Sequence, residues 1–151
     1  MILSNFKVFP RTGRLIGIDW GARRTGVAVS CADGMIVSVR PAISMSKYNH
    51  QELAAHIVQI AKDERVSGIV IGLPLRTDET ESETTKTVRE FADVLAAATD
   101  IPIIFIDETL SSAAAQEEMG RVRPRDIKEK LDSNAARVIL ENAIAMLNRS
   151  F

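Results

Sequence analysis

Four carboxylates stand out for their settings: Asp19 lies inside an apolar run, Leu15-Ile16-Gly17-Ile18-Asp19-Trp20. Asp107 and Glu108 close a second run, Ile103–Ile106, and Asp132 stands just before a strongly amphipathic stretch. An ionised carboxylate in a buried strand is costly unless it is paired, hydrogen-bonded or bound to a cation. Alternation puts Asp19 on one face with Gly17 and Leu15, opposite Ile16, Ile18 and Trp20. Each acid also has a plain structural use. Asp19 could pair with an arginine, Asp107 could cap a turn, and Asp132 suits the N-cap of the following helix. If Asp19, Glu108 and Asp132 converge instead, they offer hard oxygen ligands of the kind that hold Mg²⁺ or Mn²⁺. Two such ions about 3.5–4 Å apart activate a water and stabilise the leaving oxygen of a phosphodiester. That chemistry needs neither cysteine nor histidine. The chain has one cysteine, Cys31, and two histidines, His50 and His56, which excludes a cysteine-based zinc cage and an intramolecular disulfide.

Basic residues lie near these acids in the sequence. Arg23 and Arg24 follow Asp19, Arg76 follows the Gly72–Leu75 block, and Arg121, Arg123, Arg125, Lys128 and Lys130 precede Asp132. Arginine forks suit phosphate oxygens, and a basic segment attracts a nucleic-acid backbone in a salt-dependent way. The plain alternative is a solvated surface, diluted by Asp126 and Glu129. The net charge of −1 argues against a generic nucleic-acid coat protein, but it is unevenly spread: residues 1–76 carry +5, 77–118 carry −9 and 119–151 carry +3. Asp78, Glu79, Glu81 and Glu83 fit a loop entering a helix N-terminus, with Thr80 and Glu83 spaced as a capping box. Trp20, on the face of Ile16 and Ile18, reads as core. Nothing resembles a membrane span or a secretory signal, so a cytoplasmic protein is expected.

These residues need a scaffold. A chain of 151 residues supports one domain, read as a frayed extension over 1–13 and a single domain over 14–151. Arg14–Trp20, Gly26–Ser30 and a segment near Met35–Arg40 read as three antiparallel strands, with Pro41 suited to an edge. Leu53, Ile57 and Ile60 recur at helical spacing, as do Val88, Phe91, Ala92, Leu95 and Ala98. Gly68–Leu73 and Ile101–Ile106 are continuous apolar runs, as in parallel strands covered on both faces. Helices are expected over Ser111–Met119 and Ser133–Leu147. The sum is an α/β fold: three antiparallel strands, then two parallel ones, in one mixed sheet flanked by helices.

Four blocks then occur in order: Gly17-Ile18-Asp19-Trp20-Gly21 with Thr25-Gly26-Val27-Ala28-Val29-Ser30; Gly72-Leu73-Pro74-Leu75; Asp107-Glu108-Thr109-Leu110-Ser111-Ser112; and Asp132-Ser133-Asn134-Ala135-Ala136 with Ile139-Leu140-Glu141. From about Arg14 to Leu147 the chain resembles the YqgF family, Holliday-junction-resolvase-like proteins described as pre-16S ribosomal RNA nucleases. The resemblance implies an RNase H-like fold, an acidic site at Asp19, Glu108 and Asp132, and a divalent Mg²⁺ or Mn²⁺ cofactor. It also implies a nuclease in ribosome biogenesis that acts on precursor rRNA or branched DNA, as a monomer or homodimer. Two positions depart from the pattern. Thr109 stands where the family usually has arginine, and Ala135 where related resolvases carry a fourth acid. These departures motivate a rival reading, a nucleic-acid-binding factor in rRNA maturation or transcription that does not cleave. A phosphotransferase of the actin and sugar-kinase kind shares Ile18-Asp19-Trp20-Gly21 but needs two such domains.

Overall fold

Alternating apolar residues in the first third of the chain build a meander. β2 (Arg14–Asp19), β3 (Arg24–Ser30) and β4 (Val37–Ser44) pair antiparallel in that order. The computed structural model describes residues 1–3, 6, 9–10, 13–34, 36–44, 49–74, 82–107 and 124–149, with backbone alone over 124–133 and at 149. α1 (His50–Glu64) leads to β5 (Val66–Leu73), which lies parallel to β2, and α2 (Glu83–Ala98) leads to β6 (Ile103–Asp107), parallel to β5. β1 (Ile2–Leu3) adds a sixth strand beside β6, and α3 (Pro124–Arg149) closes the described chain. The strand order is β1-β6-β5-β2-β3-β4. No helix among the described residues is long and apolar enough to cross a membrane.

The helices cover the two faces of the sheet separately. Ile16, Ile18, Ile69, Ile71 and Ile103 pack with Leu53 and Ile57 of α1 and with Val88, Phe91 and Leu95 of α2. Leu15, Ala28, Val70, Ile104 and Ile106 pack on the other face with Ala136, Ile139, Leu140, Ala143 and Leu147 of α3. The central strands are therefore buried on both sides, which accounts for their unbroken apolar runs. On the α3 face the contact is closest at Gly17. A Cβ there would lie 2.8 Å from the Leu140 Cβ and 2.9 Å from the Ala136 carbonyl oxygen.

Several boundaries differ from the sequence expectation. Within the lead-in, two described positions are held: the Ile103 N–H donates to the Met1 carbonyl (2.8 Å), and Phe9 is buried in the α3-side core. β4 starts later than expected and runs through Pro41, which its position at the sheet edge permits. The cap of α2 is Ser82 with Thr85. The expected Thr80 lies outside the described residues, as does the helix expected over Ser111–Met119. Asp132 is not the N-cap of the last helix, because α3 begins eight residues earlier, at Pro124. Proline is favoured at a first helical position, and the Arg, Lys, Glu and Leu residues that follow are good helix formers. The basic stretch from Arg125 is thus part of the helix.

One ion-pair group links the meander to α1. Glu64 accepts from Arg14 of β2 (2.8 Å) and Arg40 of β4 (2.9 Å). The Arg40 hydrogen bond, opposed by partial burial and helped by the charges of both arginines, holds the Glu64 carboxyl below the usual glutamate range. A carboxyl whose pKa is lowered on folding stabilises the fold above its unfolded pKa and loses that contribution as pH falls through the folded one. Glu64→Gln should therefore cost about 0.5–1 kcal/mol near neutrality. Urea unfolding at a series of pH values should show the difference vanish in acid. Gly17→Ala, by forcing α3 off β2, should cost about 1–3 kcal/mol in the same assay. An unchanged midpoint would mean that the close approach is unimportant.

Candidate nucleic-acid cleavage site

Asp19 is the last residue of β2 and is half-buried. Its face follows from its neighbours: Leu15 packs under α3 and Gly17 abuts Leu140, so Asp19 also belongs to the α3 face, as alternation requires. Across the sheet it pairs with Gly26 of β3. On the other side, one residue beyond the Ile18–Ile71 pair, its neighbour in β5 is Gly72. Neither flanking position carries a side chain, so no neighbouring strand competes for the space beside this carboxylate on its own face. Both glycines stand in the sequence blocks given above, but only the strand order puts them on either side of the acid.

The turn after β2 is tight. A Cβ on Gly21 would collide with the Arg24 carbonyl oxygen. Arg23 is exposed in this turn, and Arg24 opens β3 half-buried, its backbone paired with Ser44. Trp20 packs partly buried against the α1/α2-side core, edge-on to His50 (5.9 Å between ring centroids), which is in turn edge-on to Phe91 (5.8 Å). The Trp20 Nε1–H is buried without a hydrogen-bond partner among the described residues.

Asp107 ends β6, opposite Leu73 of β5, at the same edge of the sheet as Asp19. β5 lies between them, so their backbones are about two strand spacings apart, roughly 10 Å. The pleat of β6 is readable. Ile104 and Ile106 face α3, whereas Ile103 and Phe105 face α1 and α2. Asp107 therefore alternates with the second pair and lies on the face opposite Asp19. Glu108, Arg76, Arg121 and Arg123 lie outside the described residues.

α3 runs antiparallel to β2. Its Ala136 and Leu140 meet Gly17, while Ile144 and Leu147 line a cavity with Gly13 and Leu15. Asp132 precedes Ala136 by four residues, about 6 Å of helix, and Asp19 follows Gly17 by two, about 6.6 Å of strand. The backbone of the Asp132 turn is thus level with Asp19 on the same face. The eight residues before it, including Arg125 and Lys128, extend the helix about 12 Å further in the same direction. Ala135 is buried, 2% exposed. The cavity, about 140 Å³, lies at the opposite edge and contains none of the candidate residues. Among the described residues no three His, Cys, Asp or Glu side chains form a metal-binding group.

The fold is that of the RuvC-like, RNase H-fold resolvases. The chain is similar to Thermus thermophilus RuvC in complex with Holliday junction substrate, with a TM-score of 0.59 and 13% identity over 91% of this chain and 97% of that one. It is also similar to the yeast mitochondrial Holliday junction resolvase, with a TM-score of 0.55 and 10% identity over 94% and 82%. Residues 13–146 match the family model described as "RuvX: Holliday junction resolvase". A protein of Maridesulfovibrio salexigens named "Putative pre-16S rRNA nuclease" is 38% identical over 134 residues, 87% of this chain and 98% of its own length. A protein of Bradyrhizobium sp. with the same name is 35% identical over 150 residues, 94% and 90%. The chain belongs to the RuvX family, the nuclease family whose blocks the sequence resembles under the name YqgF.

Proposed function

We propose that this chain is a divalent-metal-dependent nuclease of structured nucleic acid that processes the 5′ end of precursor 16S rRNA, with Asp19, Glu108 and Asp132 as its metal-holding carboxylates. The observation that carries the reading is the shared level and face of the Asp19 end of β2 and the Asp132 turn of α3, next to two glycines. Asp107 lies on the face opposite Asp19, so it is not assigned to the set, and Glu108 enters it on the resemblance of the Asp107-Glu108 block.

An all-oxygen donor set beside uncrowded backbone fits Mg²⁺ or Mn²⁺. When bound, such ions supply a nucleophilic water and stabilise the charge on the leaving oxygen. The chain's own share is to hold three carboxylates at the edge of a rigid sheet and to bring a phosphodiester to them. Arg23 and Arg24 flank that edge, Arg125 sits on the helical overhang, and Arg76, Arg121 and Arg123 are assigned to the same backbone grip. The names of the curated relatives support an rRNA substrate. The description of the family model supports a second reading, cleavage of branched DNA. The buried Ala135 in place of a fourth acid weighs against strict resolvase chemistry.

Cleavage of precursor 16S rRNA and of a four-way DNA junction, each with Mg²⁺ or Mn²⁺ and with chelator, tests both substrates. Asp19→Asn, Glu108→Gln and Asp132→Asn should each lower the rate at least about 100-fold, since metal ligation is worth several kcal/mol in the transition state. Asp107→Asn should stay within about 3-fold, about 0.65 kcal/mol in the barrier. Cleavage that survives all three substitutions, or that ignores chelator, would falsify the site. Salt-sensitive binding without cleavage under any metal would leave a non-catalytic binding factor.

A further inference from the structure

β5 is the strand between Asp19 and the exit of β6, and one buried hydroxyl ties down its end. Thr85, in the first turn of α2, is 0% exposed. Its Oγ1 donates to the Pro74 carbonyl, the first residue past β5, and accepts the Ser82 N–H at 3.1 Å. It also lies 3.1 Å from the Ser82 Oγ, which accepts the Thr85 N–H at 3.3 Å. A threonine hydroxyl has one proton and two lone pairs. The proton is committed to Pro74, so Ser82 must be the donor between the two hydroxyls, and the inventory of Thr85 is then full. Pro74, the first residue past β5, and Ser82, the N-cap of α2, are thus joined through one oxygen atom. α2 grips β6 as well: the Arg89 guanidinium sits 5.5 Å from the centroid of the Phe105 ring, two residues before Asp107.

We propose that Thr85 is a positioning residue for the reaction. By fixing Pro74 to α2, it sets where β5 ends and hence the separation between Asp19, beside Gly72, and the acidic exit of β6. A capping residue alone would serve only the stability of α2. Here the same hydroxyl reaches outside the helix to the strand between the carboxylates, where displacements of about 1 Å are expensive in rate. The inference rests on the nuclease reading above.

The test compares Thr85→Val, Thr85→Ser and Ser82→Ala with the wild type in metal-dependent cleavage, alongside thermal unfolding and nucleic-acid affinity. Thr85→Val is expected to lower kcat about 10-fold or more, with KM and affinity within about 2-fold, at temperatures where the variant is fully folded. Thr85→Ser should restore kcat. Ser82→Ala removes the cap but leaves the hydroxyl on Pro74, so it should lower the unfolding temperature while sparing kcat. Thr85→Ala stands in if the valine variant does not fold. Unchanged kcat in the hydroxyl-less variant, or an equal loss in Ser82→Ala, overturns the positioning role and leaves the nuclease reading intact. A wild type that cleaves nothing overturns that reading and the positioning role of Thr85 with it.

Discussion

The placement of α3 depends on an atom that is missing. With no Cβ at Gly17, the helix backbone can settle against β2 at Ala136 and Leu140. A helix held at one point along a straight strand has no freedom left along its axis. The turns above and below that point fall at heights set by 1.5 Å per residue in the helix and about 3.3 Å in the strand. The level of the Asp132 turn relative to Asp19 is a consequence of that one contact. Leu15, Ala143 and Leu147 add buried area on the same face, but area is non-directional and would tolerate a sliding helix. The close approach at Gly17 supplies the registration.

Much of this was legible in the residues. The period-2 alternation of Leu15–Asp19 gave the correct faces, because one-residue parity in a strand admits no intermediate answer. The apolar runs of β5 and β6 announced a doubly covered sheet, and the stripe Ala136, Ile139, Leu140, Ala143 and Leu147 announced a helix. The ends were harder. α3 starts at Pro124 because good helix formers continue it beyond its buried stripe, and nothing apolar marks that extension. β1 is only two residues long, and its pairing depends on a strand a hundred residues away, which local pattern cannot report. The α2 cap uses a threonine where the familiar spacing looks for glutamate. At the site, Asp19 was visible as a charge in an apolar run, whereas Gly26 and Gly72 gain meaning only when the strand order puts them on either side of it. Which way Asp107 faces is likewise fixed only once Ile104 and Ile106 are known to pack on α3.

The charge pattern also gains a spatial sense. The meander and α1 are tied by Glu64 between Arg14 and Arg40, arginines on strands that do not touch each other. Those two cations are thus committed to holding the scaffold. Arg23, exposed after β2, and Arg125, in the first turn of α3, lie toward the other edge, where the acids end their strands. The basic residues of the first and last segments therefore divide between the scaffold and the end of the sheet where the acids lie, a division that segment sums cannot express.

The two rims of the sheet have a shared consequence. β1 spans two residues, and β4 is interrupted by Pro41, which lacks the N–H that an incoming strand would need, close to a register shift against β3. Ile36 and Val39, 65% and 46% exposed, are the kind of side chains that would reward a stacked neighbour. Among the described residues neither border offers an unbroken ladder on which further chains could polymerise. One imino acid and a brevity of strand thereby disfavour cross-β growth at both borders.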